Sequence, residues 1–432
     1  MMNMKAPDAA TRAAIRKAVE AGFEEQTRFL ADLVAIPSTR GEEAPAQDMM
    51  EAALAKRGYA VDAWTIDPED LKTLPGFGPV MHDFSRARTV VGSWRPEVAT
   101  GRSLILQGHV DVVPAGPLEM WTTPPFAPVV KDGWMHGRGA GDMKSGLVAA
   151  LFALDAIRAA GFAPAAQVHL QSVIEEESTG LGALSACARG YRADCVLIPE
   201  PTDHHMTRAQ VGVLWFRLRV RGRPTHVAVA GTGSNAIVAA MQMVAAIQGL
   251  EVEWNERAKA HPVYADLEHP LNFNPGVISG GDWASSVPAW CDIDCRIGIL
   301  PGTRIEDAQA EILGCVAQAA SGHPFLRDNP PEIVWNGFLA EGWVLEGAEE
   351  PEQVFADAFS EIFATPVPED RTMTALTDTR FYGLYHGMPA LCWGPKAENI
   401  HGFDERVDLA SVKKSTEVMA LFIASWCGLV KL

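Results

Sequence analysis

Gly137-Arg-Gly-Ala-Gly-Asp-Met-Lys-Ser-Gly146 sets one carboxylate, Asp142, where a glycine-rich loop runs into the apolar, helix-like stretch Met143 to Ala160. Gly137, Gly139 and Gly141 admit backbone angles closed to other residues, so the chain can turn sharply just before a helix. A phosphate-cradling loop needs Gly-Lys-Ser/Thr in unbroken succession. Here Asp142 and Met143 separate Gly141 from Lys144 and bring negative charge where phosphate would lie, which excludes that reading. Two roles stay open for Asp142, a metal-bridging ligand and a helix N-cap, and the stretch taken alone favours the cap.

The flanking chain shifts that balance, because four short apolar runs each lead into acid or histidine. Ser103-Leu-Ile-Leu-Gln107 runs into His109 and Asp111, and Gln167-Val-His-Leu-Gln-Ser-Val-Ile174 into Glu175, Glu176 and Glu177. Asp194-Cys-Val-Leu-Ile198 runs into Glu200, and Met388-Pro-Ala-Leu-Cys-Trp393 precedes His401. With helix-like segments at 143–160 and 179–190 between them, these runs predict an α/β fold: a mainly parallel-sheet catalytic domain with helices on both faces. In such sheets ligands bind beyond the carboxyl ends of the strands. Helical periodicity also marks 8–35, 44–56, 351–363 and 409–428. The segment 64–88, rich in Pro, Gly and Asp, reads as a long loop or insertion.

After Glu200 the pattern changes to strand-like alternation at 213–220, helix at 235–250, alternation at 290–299 and helix at 304–320. This predicts an inserted α+β domain with an antiparallel sheet over 213–338, the catalytic domain being made of 1–212 and 339–432.

The 432 residues carry a formal net charge of -18, and 48% of them are hydrophobic. That acidity argues against nucleic acid and anionic membranes as partners, since phosphate binding needs clustered Lys and Arg. Met1–Arg16 holds no continuous apolar run, and the most apolar helical stretch is broken by Asp155 and Arg158, so no membrane span is expected. The seven cysteines form no CxxC pair and are expected to be reduced, in a cytoplasmic protein.

Gathered together, His109, Asp142, Glu177, Glu200 and His401 supply imidazole and carboxylate donors of the kind that zinc, cobalt or manganese accept in a hydrolytic site. If Asp142 bridges two divalent ions, one takes His109, Asp142 and Glu200, the other Asp142, Glu177 and His401, with a hydroxide shared between them. Glu176 is then the general base, and Asp111 can accept the second ring N–H of His109. Each residue has an ordinary alternative: lone histidines are mostly surface or core residues, and Glu175–Glu177 could be a solvated acidic run. The conjunction at predicted strand ends is what favours chemistry, because acids buried there would otherwise be unsatisfied.

Gly108-His-Val-Asp-Val-Val-Pro114, the 137–146 loop, Glu175-Glu-Glu177, Pro199-Glu-Pro201 and His401-Gly-Phe-Asp-Glu405 together resemble the dinuclear zinc amidohydrolases. That family includes acetylornithine deacetylase, succinyl-diaminopimelate desuccinylase, aminoacylase and glutamate carboxypeptidase. The resemblance implies two metal ions, zinc above all, with the five ligands, Glu176 and Asp111 in the roles just given. It also implies that the inserted domain is a lid that forms a homodimer. The family's usual Asp-Glu-Glu is Glu-Glu-Glu here, and aligning Glu175 with the Asp leaves Glu176 as the base. Within the lid, His226 of Gly222-Arg-Pro-Thr-His226 matches a histidine that stabilises the oxyanion, in cis or from the partner, and Arg296 of Asp294-Cys-Arg296 an arginine that pairs with a substrate carboxylate. An exposed loop histidine, and an ion pair with Asp292 or Asp294, are the competing accounts. Thr377-Asp-Thr-Arg380 resembles a segment near the substrate, with turn or helix capping as its alternative. The expected activity is hydrolysis of the amide of an N-acyl amino acid or related small carboxylate. Dipeptide or glutamyl amide cleavage, C–N hydrolysis of a small aromatic carboxylate, and a non-catalytic binding relative are the alternatives.

Overall fold

The computed structural model describes residues 7–368 and 370–432. The first six residues of the expected catalytic domain thus lie outside the described residues. Strands Val168–Val173, Leu104–His109, Cys195–Ile198 and Ala390–Cys392 lie side by side in that order and are parallel throughout. The first three are buried along their whole length, as strands covered on both faces are; Cys195–Ile198 is apolar throughout, while Val168–Val173 buries His169 and Gln171 against Ser93 and Tyr382. Antiparallel strands extend this core: Arg88–Trp94 and then Ala60–Thr65 on one side, Thr207–Gln210 and then Trp343–Val344 on the other. Arg371–Met373 also pairs with Thr207–Gln210, in parallel.

The segment expected to be a long loop over 64–88 is therefore closed at both ends by strands. Between them run the one-turn helix Pro68–Leu71 and irregular chain.

Helices cover both faces. The pleat shows this at Arg88–Trp94, where Gly92 meets Leu54 of helix Ala44–Lys56 and Thr89 meets Ser185 of helix Leu181–Ala188. Positions 89 and 92 differ by an odd number, so the two helices lie on opposite sides. Helix Ser145–Ala159 is buried along almost its whole length between Ala9–Val34 and Leu409–Cys427.

The second domain is an antiparallel sheet in the order Phe273–Gly280, Trp290–Ile299, Gly212–Arg221, Glu332–Ala340. Its last strand runs through position 338, where the sequence suggested the insert ends. Helices Ala236–Ala258 and Ile305–Ser321 pack on the sheet around their own core, which includes Phe216, Ile247, Ile293 and Ile312. Helix Ala236–Ala258 is long and apolar enough to cross a membrane by length and composition, yet its Ala239, Met243, Val244 and Ile247 face is buried on this sheet.

Candidate metal centre

Three neighbouring parallel strands end on the same edge, and each delivers polar groups there. His109 is the last residue of Leu104–His109, Glu175–Glu177 follow Val168–Val173, and Glu200 follows Cys195–Ile198. Asp142 comes from the glycine loop, whose Gly139 is left-handed at φ +80°, and His401 from the loop after Ala397–Glu398.

Asp142 lies between the two imidazoles: Oδ1 is 3.2 Å from His109 Nε2 and Oδ2 is 3.4 Å from His401 Nε2. The Glu177 carboxylate is 3.1 Å from His401 Nε2, and Glu200 Oε1 is 4.0 Å from His109 Nε2. The donor atoms of His109, Asp142 and Glu200 fall within 4.8 Å of one another, as do those of Asp142, Glu177 and His401. A third grouping, His109, Glu176 and Glu177, meets the same distance, with Glu176 Oε2 3.7 Å from His109 Nε2. Among the described residues no side chain caps helix Ser145–Ala159, and the carboxylate of Asp142 is engaged by histidines instead of the helix end.

The electrostatics fit cations. Burial, with repulsion from Asp142 and Glu177, pushes the Glu200 carboxyl well up. Burial and Asp142 raise Glu177; burial, Glu200, Asp378 and Glu177 raise Glu176 well above the ordinary range. Against its own burial, Asp142 is held well down by His109 and His401, while Glu177 and Asp142 lift His401 to about 11. Glu200 Oε1 is buried with no hydrogen-bond partner among the described residues. Crowded carboxylates shielded from water are relieved by divalent ions, and this oxygen and imidazole set suits zinc, cobalt or manganese.

Asp111 departs in detail from expectation. The ring nitrogen Nδ1 of His109 is 2.9 Å from the main-chain carbonyl of Asp111 and 3.4 Å from its Oδ1, while Oδ2 accepts from Glu177 N at 3.1 Å. The residue thus fixes both the His109 ring and the Glu177 backbone. Sequence reasoning missed Glu405, whose Oε1 accepts from Gly141 N (2.9 Å) and Asp142 N (3.1 Å) while Oε2 pairs with buried Arg138. It also missed Asp378, buried and lifted to about 7 by that burial, which accepts from Gln107 Nε2 at 2.8 Å. Glu405 stands inside the quoted His401-Gly-Phe-Asp-Glu405 motif, so its signal was present.

Glu175 and Glu176 are separated by their surroundings. Glu176 faces His109, whereas Glu175 turns to Arg40, His82 and Thr179, and against its burial His82 and Arg40 hold its carboxyl down to about 2.

The structure does not bring the other expected residues together in the same way. His226 is exposed on the second domain, its Nδ1 accepting from Ala228 N at 3.1 Å, and it does not line the cavity over the cluster. Arg296 forms no ion pair among the described residues: Asp294 is taken by Arg217, Asp292 by Arg219 and Arg221. Its guanidinium instead donates to the carbonyls of Asn272 (3.1 Å) and Thr374 (3.2 Å), the second being in the cavity wall. Thr377 lines that cavity, its hydroxyl bonded to Gln210 Oε1 at 2.8 Å. Arg380 does not line it, being fully buried with Nη2 donating to Thr179 O at 3.2 Å. The cavity measures about 350 Å³ and is lined by the acids, His401 and the 371–377 segment.

Residues 105–425 match the model of peptidase family M20/M25/M40. N-formyl-4-amino-5-aminomethyl-2-methylpyrimidine deformylase of Halalkalibacterium halodurans is 28% identical over 433 residues, covering 96% of this chain and 97% of that one. Succinyl-diaminopimelate desuccinylase of Acidovorax ebreus is 30% identical over 323 residues, 70% of this chain and 78% of that one. Among solved structures, the dipeptidase Dug1p of Saccharomyces cerevisiae superposes with a TM-score of 0.80 at 15% identity, covering 96% and 98% of the two chains, which establishes likeness of fold.

Proposed function

The chain belongs to peptidase family M20/M25/M40, and from that membership we propose that it is a di-metal deacylase, cleaving the amide of a small N-acylated substrate into an acid and an amine. The observation that carries the reading is Asp142 set between His109 and His401, with Glu200 and Glu177 completing two groups of three donors. Zinc, with cobalt or manganese as substitutes, would be held by these five residues and, when bound, acidifies water and polarises a carbonyl. Glu176, beside His109 and next in sequence to Glu177, takes a proton from the attacking water and returns it to the departing nitrogen. Asp111 holds the His109 ring so that Nε2 faces the cluster.

Arg371 lines the cavity, its Nη1 donating to Thr202 O at 3.4 Å, and a guanidinium is suited to a substrate carboxylate. This supports an N-acyl amino acid or similar acid. A second reading, removal of a formyl group from an amine of an aminomethylpyrimidine, is favoured by the deformylase relative, which matches along nearly the whole chain. The two part at Arg371→Ala: KM rises for carboxylate-bearing substrates under the first and stays unchanged for a neutral N-formyl amine under the second.

The lid edge supports a homodimer. Strand Phe273–Gly280 is exposed over nearly all its length, and Val277, Ile278 and Trp283 present apolar surface there. Seven free cysteines, six of them buried, support a reducing compartment and hence the cytoplasm.

The test is release of amine from N-formyl, N-acetyl, N-succinyl and dipeptide substrates by metal-stripped protein with zinc, cobalt or manganese restored. Metal-dependent release that disappears in Glu176→Gln supports the reading; metal binding with no turnover on any of these substrates refutes the deacylase assignment.

A further inference from the structure

Glu175 has φ +66°, a left-handed conformation that a residue with a side chain keeps only when its surroundings hold it there. Its main-chain carbonyl accepts from Ser178 N, Thr179 N and Gly180 N at 3.2, 2.9 and 2.6 Å, closing the turn that delivers Glu176 and Glu177. Its carboxylate is gripped in turn. Arg40 donates through Nε to Oε1 (2.9 Å) and through Nη2 to Oε2 (3.1 Å), the Thr179 hydroxyl donates at 2.8 Å, and His82 Nε2 lies 3.3 Å away.

The gripping residues are themselves anchored. Thr39 forms a parallel bridge with Val112, and Val112 N donates to Ser38 O at 3.0 Å, which sets Arg40 beside the segment that follows His109. His82 comes from the irregular chain before Arg88–Trp94. That chain touches the lid, since a Cβ on Gly78 would lie 2.7 Å from Gly337 O, and one on Gly337 would lie 3.2 Å from Ser178 O. Glu175 itself does not line the cavity.

We propose that Arg40 and His82 are positioning residues which, acting through Glu175, fix the turn that sets Glu176 and Glu177, and that the 74–84 segment is the strap joining this turn to the lid sheet. The inference rests on the di-metal reading, because Glu177 must be a ligand for its placement to matter. Arg40 offers the two-pronged fork that matches a carboxylate, which lysine lacks.

The experiment titrates metal-free protein with Co²⁺ by calorimetry and measures kcat and KM on the best substrate. Wild type is compared with Arg40→Ala, Arg40→Lys, His82→Gln and the control Arg57→Ala, which breaks the partly buried Arg57–Asp155 ion pair (2.7 Å). In Arg40→Ala the weaker cobalt step should fall about tenfold or more, with kcat reduced by a similar factor and KM changed less than about threefold. Arg40→Lys should recover only part of this, and His82→Gln should move both quantities the same way by less. Arg57→Ala should lower Tm and leave both cobalt steps in place. Unchanged cobalt binding in Arg40→Ala, or equal loss in Arg57→Ala, overturns the inference while leaving the di-metal reading intact. A wild type that takes up no second cobalt ion removes the di-metal reading and the positioning role with it. Should Arg40→Ala fail to fold, Arg40→Lys and His82→Gln decide by the same criteria.

Discussion

Glu175 and Glu176 are adjacent carboxylates sent in opposite directions, one clasped by a guanidinium and the other held beside Glu200 and Asp378. The left-handed turn at Glu175 makes this division possible, and it separates a structural anchor from a group free to move protons. Glu176→Gln should therefore lower kcat by about 10²–10⁴-fold while the protein retains its metal, as checked by steady-state kinetics beside metal analysis of the same sample. Glu405 acts on the backbone instead. Fully buried, it accepts two amides of the 139–142 loop and pairs with Arg138, itself 2% exposed. Glu405→Ala leaves that guanidinium buried without its counterion and should cost about 3–5 kcal/mol in urea unfolding. Away from the centre, burial lowers His169 and His204 from 6.5 to about 4. Because the unfolded chain binds those protons more readily, stability is full above about pH 6.5 and falls as pH drops toward 4. Unfolding midpoints measured across that window should decline, and His169→Gln should flatten the decline.

Strand ends were readable in the sequence where a short apolar run led straight into acid or histidine, as at His109, Glu177 and Glu200. The parallel centre of the sheet was legible for the same reason. Its antiparallel margin was not: Arg88–Trp94 carries a glycine in its interior, which weakens any strand signal. Gly92 is there because a Cβ would come 2.6 Å from Leu54 of the helix packed on it, a demand of tertiary structure that leaves no local pattern. Arg40 was illegible as part of the centre because its partner Glu175 lies 135 positions away; Asp378 and Glu405 stand inside the quoted motifs, but the roles they take rest on partners just as distant, Gln107 for the one and the amides of Gly141 and Asp142 for the other. Gly146 shows the same effect inside the motif that was read. A Cβ there would fall 1.8 Å from Pro199 O, so the start of helix Ser145–Ala159 lies directly against the chain entering Glu200. Gly146→Ala should destabilise by about 1–3 kcal/mol or more and, by displacing the chain at Pro199, weaken metal binding as well. Thermal melting and cobalt titration of one preparation would check both effects together.

Two cores, one around the large sheet and one in the lid, are joined by chain crossings near Gly212 and Gly342, which lie against one another. The lid therefore carries its own exposed edge, and His226, in the same domain, is bridged to Ser286 and does not line the cavity over the cluster. An exposed loop histidine is one account of it; if His226 instead takes part in the reaction, either the domains move to bring it in or it serves the cavity of a second copy in the proposed homodimer. The last account follows from symmetry: if one lid edge pairs with its twin, each copy offers the other the same residues. It leads to a mixing experiment. His226→Ala and Glu176→Gln should each be inactive as purified. If His226 acts across the interface, hybrid dimers hold one cavity with both Glu176 and the partner's intact imidazole. Random reassortment makes half the dimers hybrid, so activity should return to about a quarter of wild type after the two variants are unfolded and refolded together. Action within one chain predicts no recovery, since every cavity in the mixture then lacks one of the two groups. Sedimentation of the same mixture distinguishes that result from a failure to dimerise.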